Sequence, residues 1–192
     1  MSVASKVILA GTLASASVVA ASPAEAAKSC VLGKWKSTSY TMLIQGAGAE
    51  THGSGLKGVR LTVSRTSLAY DFNKSTKEEL IGYNLGDPSF RSQVKYAKKL
   101  SVKATVRGAK KGSVVLKPRT ATGDATGANT RTWPEHENLS KWKLAKSLRT
   151  GTPESFVPVK SSFSCSGKTL KFFSSYKHRG YTVSIGRVFT RA

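Results

Sequence analysis

Apolar and polar residues alternate along much of this chain. Between Lys99 and Arg107, Leu100, Val102, Ala104 and Val106 share one parity, while Lys99, Ser101, Lys103, Thr105 and Arg107 share the other. A period of two puts successive side chains on opposite faces of a strand. Val59–Ser64 and Leu68–Phe72 alternate likewise across a short turn, which predicts a hairpin with one buried face. Residues 108–112 turn the chain after Arg107, and residues 113–117 return beside it. Val157–Cys165, Thr169–Tyr176 and Tyr181–Arg191 predict three further strands, joined by Ser166-Gly167 and by residues 177–180. The first predicted strand lies within Cys30–Ile44.

The connecting segments are less regular. Residues 45–55 hold Gly46, Gly48, Gly53 and Gly55 and predict a flexible loop. Residues 73–95 fit no single pattern: Ser75 followed by Glu78 has the form of a capping box that would suit one short helical turn over 75–81, and Gly86-Asp87-Pro88 is a turn. Pro118, Gly123, Gly127 and Pro134 make 118–138 a long irregular loop. Residues 139–148 fit a helical stripe through Leu139, Trp142 and Leu148, or a strand; their surroundings favour the strand. The sum is all-β, with about eight or nine hairpin-linked antiparallel strands. That pattern favours a sandwich or an up-and-down barrel, of which the barrel, by closing, removes exposed edges. About eight strands enclose an interior filled by side chains or holding one small ligand.

The amino terminus changes the compartment. Residues 1–26 have the form of a cleaved signal peptide: Lys6, an uncharged small and apolar run over Val7–Ala20, and Ala24-Glu25-Ala26 as a small-x-small cleavage site. The run is roughly 14 residues, short of the roughly 20 that span a bilayer. Residues 27–192 are then expected as a single secreted domain without a transmembrane span, either released or retained at the cell wall. In an oxidising compartment the two cysteines, Cys30 and Cys165, most simply form one bridge. Closing so long a loop stabilises by roughly 4 to 5 kcal/mol in the chain-entropy account.

Charge adds a surface. The formal net charge is +21. Lys99, Lys103 and Arg107 on the polar parity, continued by Lys110 and Lys111 in the turn, predict a basic ridge. Lys141, Lys143 and Lys146 around Trp142 predict a second, basic–aromatic group. Either would attract an anionic wall polymer or surface, and either is equally compatible with a solvated face. Specific nucleic-acid recognition is not expected.

The sequence nominates no catalytic residue, metal ligand or cofactor. His52, His136 and His178 lack zinc spacing. His52-Gly-Ser-Gly55 is not a nucleophile elbow. Gly167-Lys168-Thr169 echoes a phosphate loop, but Ser162 stands where a glycine is needed. The few acidic residues suggest no carboxylate pair.

Gly33-x-Trp35 at the start of the first strand, with an arginine in the last, resembles the lipocalin-like (calycin-type) barrels. Cys165-Ser-Gly167-x-x-Leu170 with a terminal Phe189-Thr-Arg191 resembles a group of small secreted actinobacterial proteins of that architecture. The resemblance implies that Trp35 plugs the closed end and that Arg187 or Arg191 lies across its indole; Arg191 shares parity with Val183, Ile185 and Phe189. It also implies a lumen for a small apolar or amphipathic ligand. The expected function is therefore non-enzymatic binding, of a small lipophilic ligand in the lumen, of an anionic envelope polymer on the surface, or of both. The alternative is inhibition of a secreted protease by a terminus or by the loops at 45–55 and 118–138.

Overall fold

Strand alternation governs the structure, a computed structural model that describes residues 29–152, 154–157 and 159–192. The expected signal peptide, residues 1–26, lies outside the described residues. The strands in chain order are β1 (Gly33–Gly46), β2 (Ala49–Gly55), β3 (Arg60–Val63), β4 (Ser67–Asp71), β5 (Glu78–Asn84), β6 (Asp87–Ala97), β7 (Lys99–Arg107) and β8 (Lys111–Leu116). They continue with β9 (Thr122–Gly123), β10 (Thr126–Trp133), β11 (Glu137–Lys143), β12 (Lys160–Ser166), β13 (Thr169–His178) and β14 (Tyr181–Arg191). One short helix, α1 (Leu144–Arg149), follows β11.

Eight strands close an antiparallel barrel in chain order: β1, β3, β4, β7, β8, β12, β13 and β14, with β14 pairing back to β1. The path is an up-and-down meander interrupted by three excursions. β2 leaves after β1, β5 and β6 leave after β4, and β9 to β11 with α1 leave after β8. Strands β2, β5, β6, β10 and β11 pair with one another into a branch that joins the barrel at β1.

β1 can serve both the barrel and the branch because it is long. Its first residues pair with β3, from Gly33↔Val63 to Lys36↔Arg60, and its later ones with β2, from Thr41↔Ser54 to Gly46↔Ala49. Ser37 sits at the fork and is buried. Its Oγ donates to the Leu56 carbonyl and accepts from the Val59 N–H at 2.9 Å. One small hydroxyl thus satisfies backbone groups that the parting strands would leave unpaired.

The lumen is occupied by side chains. Trp35 and Phe189 are fully buried towards one end. Above them Phe156, from the strap between α1 and β12, lies against Tyr40, Tyr70, Phe72 and Phe189, with ring centroids 5.6 to 6.2 Å apart. Phe163 and Phe172 extend the aromatic stack across the barrel. Edge-to-face and tilted rings at such spacings fill a core efficiently.

Several sequence expectations need correction. Residues 45–55 are not a loop: β1 runs to Gly46, a two-residue turn at Ala47 and Gly48 has positive φ, and β2 follows. Gly53 belongs to the packing there, since a Cβ would lie 3.1 Å from Leu80 and from Met42. Residues 75–81 are not a helical turn. Glu78 opens β5, paired with β2, and its side chain points into the core instead of back to Ser75, whose Oγ donates to the Phe72 carbonyl at 2.8 Å. Residues 118–138 contain β9, β10 and the start of β11. Gly127 makes room for the Trp142 ring, 2.4 Å from where a Cβ would be, and is not there for flexibility. Residues 139–148 divide: strand to Lys143, helix from Leu144. The strands number fourteen among the described residues, eight of them in the barrel.

Candidate functional site

The cysteine-bearing end is held by a small set of contacts. Cys30 and Cys165 are bonded, their Cα atoms 5.9 Å apart. Gly33 has φ +126°, a region that favours glycine, and a Cβ there would fall 2.3 Å from Arg191 Nη1. That space lets the Arg191 guanidinium lie 3.9 Å from the centre of the Trp35 ring. Arg191 also donates to the Leu32 and Cys30 carbonyls, at 2.7 Å each, and to the Gly167 carbonyl at 3.3 Å. The Trp35 N–H donates to the Val31 carbonyl at 2.9 Å. Arg187 is not at this end. It is buried higher in the lumen, where its Nη2 donates to the Ser155 carbonyl at 3.4 Å and its Nε has no partner among the described residues.

Around Arg187 lies a buried polar cluster that the sequence did not flag. Glu78 accepts from the Tyr40 hydroxyl at 2.7 Å, from Ser155 Oγ at 3.1 Å and from the Tyr96 hydroxyl at 3.4 Å. Burial pushes the Glu78 carboxyl up, against these three donors. Burial also raises Tyr40 and Tyr96, with Glu78 adding to both. Tyr70 is pushed up to about 12 and Arg187 down to about 10, each by burial. Glu154, on the same strap as Ser155, accepts from the Trp142 N–H at 3.1 Å, and burial raises it to about 7. With Glu78 only 1% and Arg187 only 2% exposed, the cluster is sealed from solvent. Its work is structural: it fastens the strap, and with it Phe156, to the wall. No local pattern around Glu78 announced this, because Tyr40, Tyr96 and Ser155 come from distant parts of the chain.

The outer barrel face gathers cations. Register places Lys36 opposite Arg60, Arg60 opposite Asp71, and Asp71 opposite Lys99, one row across β1, β3, β4 and β7. The neighbouring row is Lys34, Thr62, Ala69 and Ser101. These residues, with Gly123 and Ala192, border a groove of about 780 Å³ whose floor is small and whose rims are basic. From Lys99 the exposed side chains of Lys103 and Arg107 continue along β7, so row and ridge meet at Lys99. Lys110 and Lys111 follow at the turn, where the Cys165 N–H donates to the Lys110 carbonyl at 2.7 Å. Lys34, Lys36 and Arg60 joined this face only through β1–β3 pairing, which local reading could not supply.

Lys141, Lys143 and Lys146 lie on β11 and α1 and border a separate hollow of about 660 Å³. Trp142 alternates with the first two and turns inward, edge-on to Tyr96 at 6.3 Å, with one margin of the indole still bordering the hollow. It is therefore no aromatic platform standing among the lysines. His52 pairs with Glu50 at 3.1 Å. Among the described residues no group of three or more His, Cys, Asp or Glu is placed to hold a metal ion, and no helix is long and apolar enough to cross a membrane.

Comparison with known proteins finds no matching family model, no matching curated protein and no matching solved structure.

Proposed function

We propose that this is an exported, non-enzymatic binding protein whose basic barrel face holds a linear anionic polymer of the cell envelope. One observation carries the reading: the row Lys36, Arg60, Lys99 beside a small-residue groove, interrupted by Asp71 alone and continued by Lys103 and Arg107. Lys36 and Arg60 stand on adjacent strands, about 4.8 Å apart, Arg60 and Lys99 about 10 Å apart across Asp71, and Lys99, Lys103 and Arg107 about 13 Å apart along β7, a spread that suits an extended polymer bearing phosphate or carboxylate groups. Clustered charge of one sign gives affinity with strong salt dependence and fast association. The formal charge of +21 supports the same reading.

Binding of a small lipophilic ligand in the lumen has less to stand on, because Trp35, Phe156, Phe172 and Phe189 occupy that space. Protease inhibition loses its candidate loops, since 45–55 and most of 118–138 are strands.

Binding to poly(glycerol phosphate), with neutral dextran as control, tests the proposal. A Lys36→Gln/Arg60→Gln/Lys99→Gln variant is compared with a Lys141→Gln/Lys143→Gln/Lys146→Gln variant of equal net charge. The first should weaken binding at least about tenfold and the second by less than about threefold. Equal losses would show that only net charge matters and would remove the site.

A further inference from the structure

The groove beside the cation row holds one carboxylate that the basic face leaves unpaired. Asp71 stands opposite Arg60 on β3 and opposite Lys99 on β7. Side chains directly opposite on neighbouring strands have Cβ atoms about 5 Å apart, so an ion pair to either cation is within reach. Yet the ion pairs among the described residues are His52–Glu50, Lys98–Asp124 and Arg131–Glu137, and Asp71 is in none of them. Its Oδ1 accepts from the Asn73 N–H at 3.0 Å, and the residue borders the groove. Asp124 differs: it pairs with Lys98 at 3.6 Å and accepts from the Lys99 N–H at 3.3 Å.

Arg60 and Lys99 lie about 10 Å apart, two strand spacings, with Asp71 between them. Ala69 is the smallest residue of the neighbouring row, and Thr62 and Ser101 flank it with exposed hydroxyls. A polymer laid across these strands meets cations on β1 and β3, a carboxylate on β4 and a cation again on β7. A chain charged at every link, such as polyphosphate, brings an anion against Asp71, and like charges in contact repel. A chain whose phosphates are separated by hydroxyl-bearing carbons places a hydroxyl there instead, and an ionised carboxylate is a strong acceptor for it.

We propose, resting on the polymer-binding reading of this face, that the groove selects polyol phosphates over polyanions charged at every link, with Asp71 accepting a hydrogen bond from a hydroxyl between two phosphates held by Arg60 and Lys99. The cations set the affinity, and Asp71 sets the choice by repelling the wrong chain.

Poly(glycerol phosphate) and inorganic polyphosphate of equal phosphate number are compared by titration calorimetry on the intact oxidised protein, at one ionic strength. Asp71→Asn keeps an acceptor for the Asn73 N–H and for a ligand hydroxyl, and removes the charge. It should raise polyphosphate affinity at least about fivefold and change poly(glycerol phosphate) affinity by less than about twofold. Should Asp71→Asn fail to fold, the wild type makes the test with poly(glycerol phosphate) whose hydroxyls are methylated. That polymer should bind at least about threefold more weakly than its parent. Equal gains for both polymers in Asp71→Asn, or equal binding of the methylated and parent polymers, would overturn the selection. Lys36→Gln/Arg60→Gln/Lys99→Gln separates this failure from that of the binding reading. Weaker binding of both polymers by the triple variant, with equal gains in Asp71→Asn, removes the selection alone. Unchanged binding of both polymers by the triple variant removes the site itself.

Discussion

Gly33, Trp35 and Arg191 act as one unit: the glycine leaves the space, the indole fills the barrel end, and the guanidinium covers it while binding three carbonyls. Arg191→Ala should lower unfolding free energy by about 1 to 3 kcal/mol, from the lost ring contact and carbonyl partners. Arg187→Ala should leave that end intact, and near-ultraviolet circular dichroism of the Trp35 band separates the two. Glu154 makes a pH prediction. Its folded value of about 7 lies above the ordinary 4.5, so the unfolded chain loses this proton first. Stability is then highest below about pH 4.5 and falls as pH rises towards about 7, by an amount on the order of 2 kcal/mol. Glu78 is shifted in the same direction and adds to the fall. Chemical denaturation from pH 4 to 8 should show this loss in the wild type and a flatter profile in Glu154→Gln.

Two elements organise the rest, the forked strand β1 and the strap carrying Phe156. Phe156 touches four aromatic rings and is fully buried, so Phe156→Ala should destabilise by about 3 to 5 kcal/mol. Thermal unfolding measures that loss directly. The strands with local signals, β3, β4, β7, β12, β13 and β14, were legible because one face is buried and the other wet. The branch was not. β2 and β10 hold glycines whose reason lies in partners far along the chain, Met42 and Leu80 for Gly53 and Trp142 for Gly127. Ser75 and Glu78 imitate a helix start that pairing between β5 and β2 overrides. Likewise Trp142 reads as a neighbour of lysines until Gly127 and Tyr96 draw it inward.

For the molecule as a whole, the bond between Cys30 and Cys165 joins residues 135 apart and ties the start of β1 to the β12–β13 hairpin. Reduction, or Cys30→Ser/Cys165→Ser, should cost about 4 to 5 kcal/mol and lower Tm by roughly 8 to 20 °C. The charge works at the same scale. Its excess was legible from composition, and so was half of its arrangement, the β7 ridge. The other half, Lys34, Lys36 and Arg60, required barrel closure to reach Lys99. The most direct test of that arrangement is the dependence of poly(glycerol phosphate) affinity on salt, measured for the wild type and for Lys36→Gln/Arg60→Gln/Lys99→Gln. If the row holds the polymer, the plot of log affinity against log salt should be shallower in the variant by about 2 to 3, close to one per lost cation. Parallel plots would contradict the account.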